Sequence, residues 1–168
     1  MACLFKKGDP SCPVNYRPIS LLQIGYKIFS SLLLCRLKSA GVEEKIWHTQ
    51  FGFRSGCGTR DAVFICRRLI EQCHNSKHSN LIFLALDWAK AFDSIHPASL
   101  VQSLRRFGLP DKYLQIIGNI YSNREFVVFD HGKKSQQHHQ AFGISQGCPL
   151  PPFLFIMLMT VLLHDANK

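Results

Sequence analysis

Residues 81–97 read LIFLALDWAKAFDSIHP, and the opening six constrain the fold more than any other stretch of the chain. LIFLAL has too few polar alternations for a half-exposed strand, so it predicts a central strand covered on both faces. The run passes straight into Asp87, and a second carboxylate, Asp93, follows with Lys90 between them. A carboxylate at the end of a buried strand is costly unless it is paired, hydrogen-bonded or bound to a cation, and α/β sheets place ligands just beyond strand ends. On the residues alone, Asp87 is either a site residue or the partner of Lys90 or of a turn. Asp93, shortly before a Pro-led helix, reads as a turn or capping residue.

The surrounding pattern is mostly helical. After a Pro- and Gly-rich loop, KKGDPSCPVNYRP, the apolar residues Leu21, Leu22, Ile24, Ile28, Phe29, Leu32, Leu33 and Leu37 recur at helical spacing up to Gly41. The Gly-punctuated QFGFRSGCG precedes a second helix, for which Thr59 is the expected cap, with Asp61 in its first turn. Pro97 opens a third helix that runs to Gly108, and Pro110 opens a fourth, with Tyr113, Leu114, Ile116, Ile117 and Ile120 on its buried side. REFVVFDHGKKSQQHHQAFGI reads as a hairpin turning near His131 and Gly132, and a last helix begins near Leu150 to Pro152. The expected class is α+β, helices packed on a small sheet.

Composition narrows the functional classes. At 168 residues and 46% hydrophobic content, the chain is long enough for one domain with a sizeable core. Residues 1–70 hold 11 Lys/Arg against 4 Asp/Glu, and residues 71–168 hold 9 against 7, so the net charge of +9 is concentrated in the N-terminal half. That half is where polyanion binding is expected. The longest apolar run near the end, FLFIMLMTVLL, has 11 residues, short of the roughly 20 that a membrane span needs, and reads as a core helix. The N-terminus has no apolar signal core, so secretion is not indicated. The 7 cysteines are irregularly spaced and read as free thiols. Cys73, His74 and His78 lack the paired spacing of a zinc site and read as a polar helix end.

A second segment, AFGISQGCPLPPFLF, places glycines on either side of Ile144, Ser145 and Gln146, so the backbone can approach a ligand closely. Gln146 offers both a donor and an acceptor there. On its own this is either a nucleotide-contacting loop opening a helix or a plain strand-to-helix turn. Taken together, YRPISLL (16–22), QFGFRSG (50–56), LDWAKAFDS (86–94) and GISQGCPLPPFLF (143–155) resemble, in order, the sequence blocks of reverse transcriptases of non-LTR (LINE-type) retrotransposons. The likeness covers about residues 5 to 163.

The resemblance implies a right-hand polymerase, with fingers over about 1–80 and part of the palm over about 81–168. It implies Asp87 as the catalytic carboxylate and a ligand of two Mg²⁺ ions. Phe92 takes the place that contacts the nucleotide sugar and disfavours a ribose 2′-hydroxyl, while Gln146, Gly147 and Arg54 belong to the nucleotide site. Arg17, Lys27 and Pro152 fall where template or phosphate is contacted. The implied partners are an RNA template, a DNA primer and dNTPs, with no membrane, and localisation is nuclear and cytoplasmic by family analogy only. The chemistry suits these residue types: two divalent ions stabilise the attacking and leaving oxygens of an in-line displacement, and basic residues neutralise phosphate without reading sequence.

The pattern departs from the family in two places. The family's hairpin with two adjacent aspartates is not found before the chain stops at LLHDANK, and Asp165, alone at the end of a helix, is no substitute. One carboxylate does not hold two Mg²⁺ ions, since each needs several oxygen ligands in strict geometry. The expectation is a domain truncated at its C-terminus and inactive alone, the alternative being a non-catalytic nucleic-acid-binding remnant. Without those hairpin strands, the 81–86 strand is expected to present an aggregation-prone edge and poor solubility. Pro151 stands where the family has Ser, which removes a hydroxyl and a helix cap worth about 1 kcal/mol.

Overall fold

The computed structural model describes residues 1–76, 80–130, 132–145 and 147–167. Its elements run β1 (Ala2–Phe5), β2 (Tyr16–Ile19), α1 (Ile24–Ser39), α2 (Thr59–Asn75), α3 (Pro97–Phe107), α4 (Asp111–Tyr121), β3 (Arg124–Phe126), β4 (Phe129–Asp130), β5 (Lys133–Lys134), β6 (His138–Gln140) and α5 (Leu150–Ala166). The class is α+β, as the pattern of apolar spacings predicts.

The core forms around α5. That helix is apolar on every side and buries Leu150, Phe153, Leu154, Ile156, Met157 and Val161, the signature of a helix enclosed by its neighbours rather than one lying on a surface. Against it pack Leu100 and Leu104 of α3, Leu114, Ile117 and Tyr121 of α4, and Leu33 and Leu37 of α1. Helix α3 starts with Pro97, whose missing N–H costs nothing at that position, and stops at Gly108 with φ 100°, a left-handed turn that glycine enters without strain. Thr59 does not cap α2. It is the first helical residue, and the cap is Gly58, whose N–H donates to Asp61 Oδ2 at 2.7 Å.

Two small sheets flank this helical core. The larger has strand order β2-β1-β4-β5. Strands β1 and β2 are antiparallel, Ala2 opposite Ile19 and Phe5 opposite Tyr16, while β1 meets β4 in parallel through Ala2 and Phe129. The Pro-rich loop thus ends in a strand that the sequence does not announce, and Pro18 is tolerated because β2 lies at the sheet edge. The smaller sheet pairs β3 with β6, Arg124 opposite Gln140 and Phe126 opposite His138. The tight β4–β5 hairpin turns through Gly132 at φ 75°, close to the expected place; His131 lies outside the described residues.

The strand expected over 81–86 is absent from the described structure. Residues 80–88 have no regular hydrogen-bonded partner and are exposed, with Ile82 at 93%, Leu84 at 76% and Leu86 at 77% of full accessibility. Six apolar residues have the propensity for a strand, but a strand exists only where another edge accepts its backbone hydrogen bonds. Both sheets here are built from residues 2–19 and 124–140, and none of their strands pairs with this run. Helix α2 likewise buries none of its residues.

Candidate nucleotide site

The site is assembled by the turn that follows Asp87. Lys90 adopts φ 53°, and its carbonyl accepts hydrogen bonds from Asp93 N–H at 2.9 Å and Ser94 N–H at 3.0 Å. A non-glycine residue in this region costs of order 1 kcal/mol, which the two bonds offset. The turn swings Phe92 inward, where its ring lies 4.9 Å from Phe155 of α5 at an interplanar angle of 35° and meets Phe53 edge-on at 6.2 Å.

The glycine-flanked loop is zipped to the same segment. Ile144 N–H donates to the Phe92 carbonyl at 2.8 Å and Gly143 N–H to the Ile95 carbonyl at 2.7 Å. Gly143 has φ 87°, and a β-carbon there would stand 3.0 Å from both the Cα and the carbonyl oxygen of Asp93, so glycine is required on both counts. Gly147 is pressed against the other side: its β-carbon would sit 2.6 Å from the Ser20 carbonyl oxygen. Three loops and a ring contact therefore bring YRPISLL, QFGFRSG, the KAFDS turn and GISQG to one locality centred on Phe92.

Beside it opens a cleft of about 770 Å³ bordered by Lys6, Arg17, Lys90, Phe92 and Asp93. Its rim carries three cationic side chains against one carboxylate.

The expected site residues divide accordingly. Phe92 and Arg17 line the cleft, and Gly147 supports the loop next to it. Gln146 lies outside the described residues. Arg54 donates weakly to the His48 carbonyl of its own loop at 3.5 Å, and Lys27 is exposed on the first turn of α1. Pro152 is half-buried in the first turn of α5, and Pro151 beside it is buried. Asp87 is exposed, is not among the residues lining the cleft and has no hydrogen bond among the described residues, whereas Asp93 is on the rim.

No group of three or more His, Cys, Asp or Glu side chains converges among the described residues. Asp87 and Asp93 offer hard oxygen, the donor type that Mg²⁺ selects, but two separated carboxylates do not make a two-ion site. Cys73 and His74 form no such cluster either, and His78, the third member considered with them, is outside the described residues. None of the 7 cysteines is joined in a disulfide. No helix among the described residues is long and apolar enough to cross a membrane.

Sequence reasoning missed Arg124, which reaches from the start of β3 under the glycine-flanked loop and donates to Ser145 Oγ at 2.9 Å and to the Gly143 carbonyl. The available signal was an arginine opening the REFVVF segment, with two residues between it and the end of the preceding helix. Around it, burial pushes the Tyr26 hydroxyl up to about 12 and raises Tyr121 further, while desolvation lowers Arg124 from the usual guanidinium value.

Residues 5–168 match the reverse transcriptase (RNA-dependent DNA polymerase) family, and the chain belongs to it. It is 32% identical over 154 residues to the retrovirus-related Pol polyprotein of the type-2 retrotransposable element R2DM of Drosophila melanogaster, a match covering 90% of this chain and 14% of that protein. It is 30% identical over 160 residues to the probable RNA-directed DNA polymerase of the Drosophila melanogaster transposon X-element, covering 94% and 17%. To the 149 kDa protein of transposon TX1 of Xenopus laevis it is 31% identical over 168 residues, covering 100% and 13%. These relatives are retrotransposon proteins, as the four blocks imply, and the chain spans about a seventh of their length.

Proposed function

We propose that this chain forms the fingers (about 1–80) and part of the palm (about 81–168) of a retroelement RNA-directed DNA polymerase. It would take part in template-directed nucleotidyl transfer from dNTPs to a DNA primer on an RNA template. The observation that carries the reading is the convergence of all four family blocks on Phe92, next to a cleft rimmed by Lys6, Arg17 and Lys90. In this reading Phe92 packs against the nucleotide sugar, and the cations hold phosphate. Gln146 and Gly147 line the base-pair side, while Arg54, Lys27 and Pro152 contact template or phosphate.

Asp87 is the catalytic carboxylate and the one Mg²⁺ ligand proposed from this chain. Its exposure just ahead of the Lys90 turn leaves it open to further ligands. The described carboxylates do not by themselves fit a two-ion site.

A second reading is favoured by that same incomplete donor set: a non-catalytic nucleic-acid-binding remnant that holds primed RNA through its basic cleft. Primer extension on an oligo(dT)-primed RNA separates the two, with the chain used alone and joined to the segment that follows the match in the R2DM protein. Polymerisation predicts dTTP incorporation that requires Mg²⁺ and disappears in Asp87→Ala. Incorporation in neither form, with salt-dependent binding of primed RNA retained, selects the second reading.

A further inference from the structure

Resting on the nucleotide-facing role proposed for Gln146 and Gly147, we propose that Arg124 is the positioning residue of the loop that leads into them, residues 142–145. It fixes the loop from beneath, and so sets the shape of the surface a nucleotide would meet.

The geometry is that of a clamp. Arg124 opens β3 and is paired with Gln140 of β6, so its backbone is fixed by the small sheet. One terminal nitrogen of the guanidinium donates to Ser145 Oγ at 2.9 Å; the other donates to the Gly143 carbonyl and, at 3.5 Å, to the Phe142 carbonyl. The guanidinium carbon lies 4.9 Å from the centre of the Tyr121 ring, the buried last residue of α4, which serves as a platform. On its opposite side the loop is held by the two amide bonds to Phe92 and Ile95. Loop residues 142–145 are thus gripped between the Phe92 turn and a planar fork whose donors have fixed relative directions.

The cost of the arrangement argues for this role. A half-buried guanidinium gives up hydration that an apolar side chain of similar length would not, and the Nε of Arg124 has no partner among the described residues. Mere filling of the space over Tyr121 would be achieved more cheaply by Met or Leu. What only the fork supplies is the simultaneous capture of a loop carbonyl and a loop hydroxyl.

Hydrogen exchange at the Gly143 and Ile144 amides reads the clamp, because those amides are protected only while the loop is seated. Measured on the 168-residue chain, Arg124→Met is expected to speed their exchange roughly tenfold to a hundredfold, the loss of a charged hydrogen bond or two. Exchange in α3 and α5 should change less than about threefold, as for an opening confined to the loop. Arg124→Lys, a point charge without the fork, should fall between wild type and Arg124→Met, and Ser145→Ala, which removes one acceptor, should give a smaller increase. Unchanged exchange at Gly143 and Ile144, or an equal rise in α3 and α5, overturns the proposal; should Arg124→Met fail to fold, Ser145→Ala decides by the same criteria.

Equilibrium binding of dTTP with Mg²⁺ and of oligo(dT)-primed RNA supplies the second readout. Arg124→Met is expected to weaken dTTP by a factor similar to the exchange effect and to leave primed RNA unchanged, a split that general destabilisation would not give. Equal dTTP affinity with an opened loop overturns the nucleotide role. If the wild-type chain binds neither ligand, the function proposed above falls, and exchange alone still decides whether Arg124 seats the loop.

Discussion

Gly147→Ala measures how tightly the glycine-flanked loop is pressed against the YRPISLL segment. The added methyl would stand 2.6 Å from the Ser20 carbonyl oxygen and 3.2 Å from Leu22 Cδ1. Ordinary carbon contacts begin near 3.4 Å, so the first overlap is about 0.8 Å, and it falls on a backbone atom that has no rotamer to change. Relief requires the backbone of 20–22 or 147 to move, at a cost of about 1–3 kcal/mol for overpacking of this kind. With about 2–4 °C of melting temperature per kcal/mol for a chain of this size, a mid-range loss of about 2 kcal/mol lowers Tm by roughly 4–8 °C. Gly118→Ala is the internal control. Its methyl meets only Val101 Cγ2, at 3.9 Å, inside helix α4, so it should hold or raise Tm through about 0.5–1 kcal/mol of helix preference. Circular dichroism melts of the two variants settle the matter. A Gly147→Ala protein melting at or above the wild-type temperature would refute the close approach of the two loops.

Other consequences follow from burial and charge. Leu154→Ala, at the fully buried centre of α5, should lose about 2–5 kcal/mol in urea unfolding, and a loss under 1 kcal/mol would mean α5 is not the core helix. Asp87→Ala should leave Tm within error of wild type, since the side chain is exposed and makes no hydrogen bond among the described residues. A fall of several degrees would reveal a structural role for it. Burial raises the folded pKa of Tyr26 to about 12 from an ordinary 10, so the folded state keeps the phenolic proton that the unfolded chain gives up. Stability from this source is complete below pH 10 and is lost as pH rises toward 12, and the slope of stability against pH in that window should flatten in Tyr26→Phe. The exposed apolar faces of 81–86 and of α2 (Phe64, Ile65, Leu69) predict self-association, read by light scattering after size exclusion; a clean monomer would contradict it.

Local signals and long-range pairings fared differently in the sequence. Helices α1, α3, α4 and α5 were legible because their apolar spacing and their Pro and Gly boundaries act within a few residues. The 81–86 run was misread because strand formation depends on an edge elsewhere in the chain, which no local pattern encodes. Strand β2 was hidden for the converse reason: Pro18 signals a loop unless the strand lies at an edge, and its edge position comes only from pairing with β1. In the site, Phe92 and Gly147 stand out by residue type and block, and the structure packs the first against Phe155 and the second close to the Ser20 carbonyl. Arg124 was not marked, because its meaning lies in a loop about 20 residues away that it reaches only after β3 and β6 pair.

Where a nucleotide sits on this chain is decided by photolabelling. With 8-azido-dATP and Mg²⁺, adducts mapped by mass spectrometry should fall in peptides carrying residues 87–93 and 142–148 and should be suppressed by excess dATP. Labelling on the α3–α4 face instead, or labelling that dATP does not suppress, would contradict a nucleotide site built around Phe92.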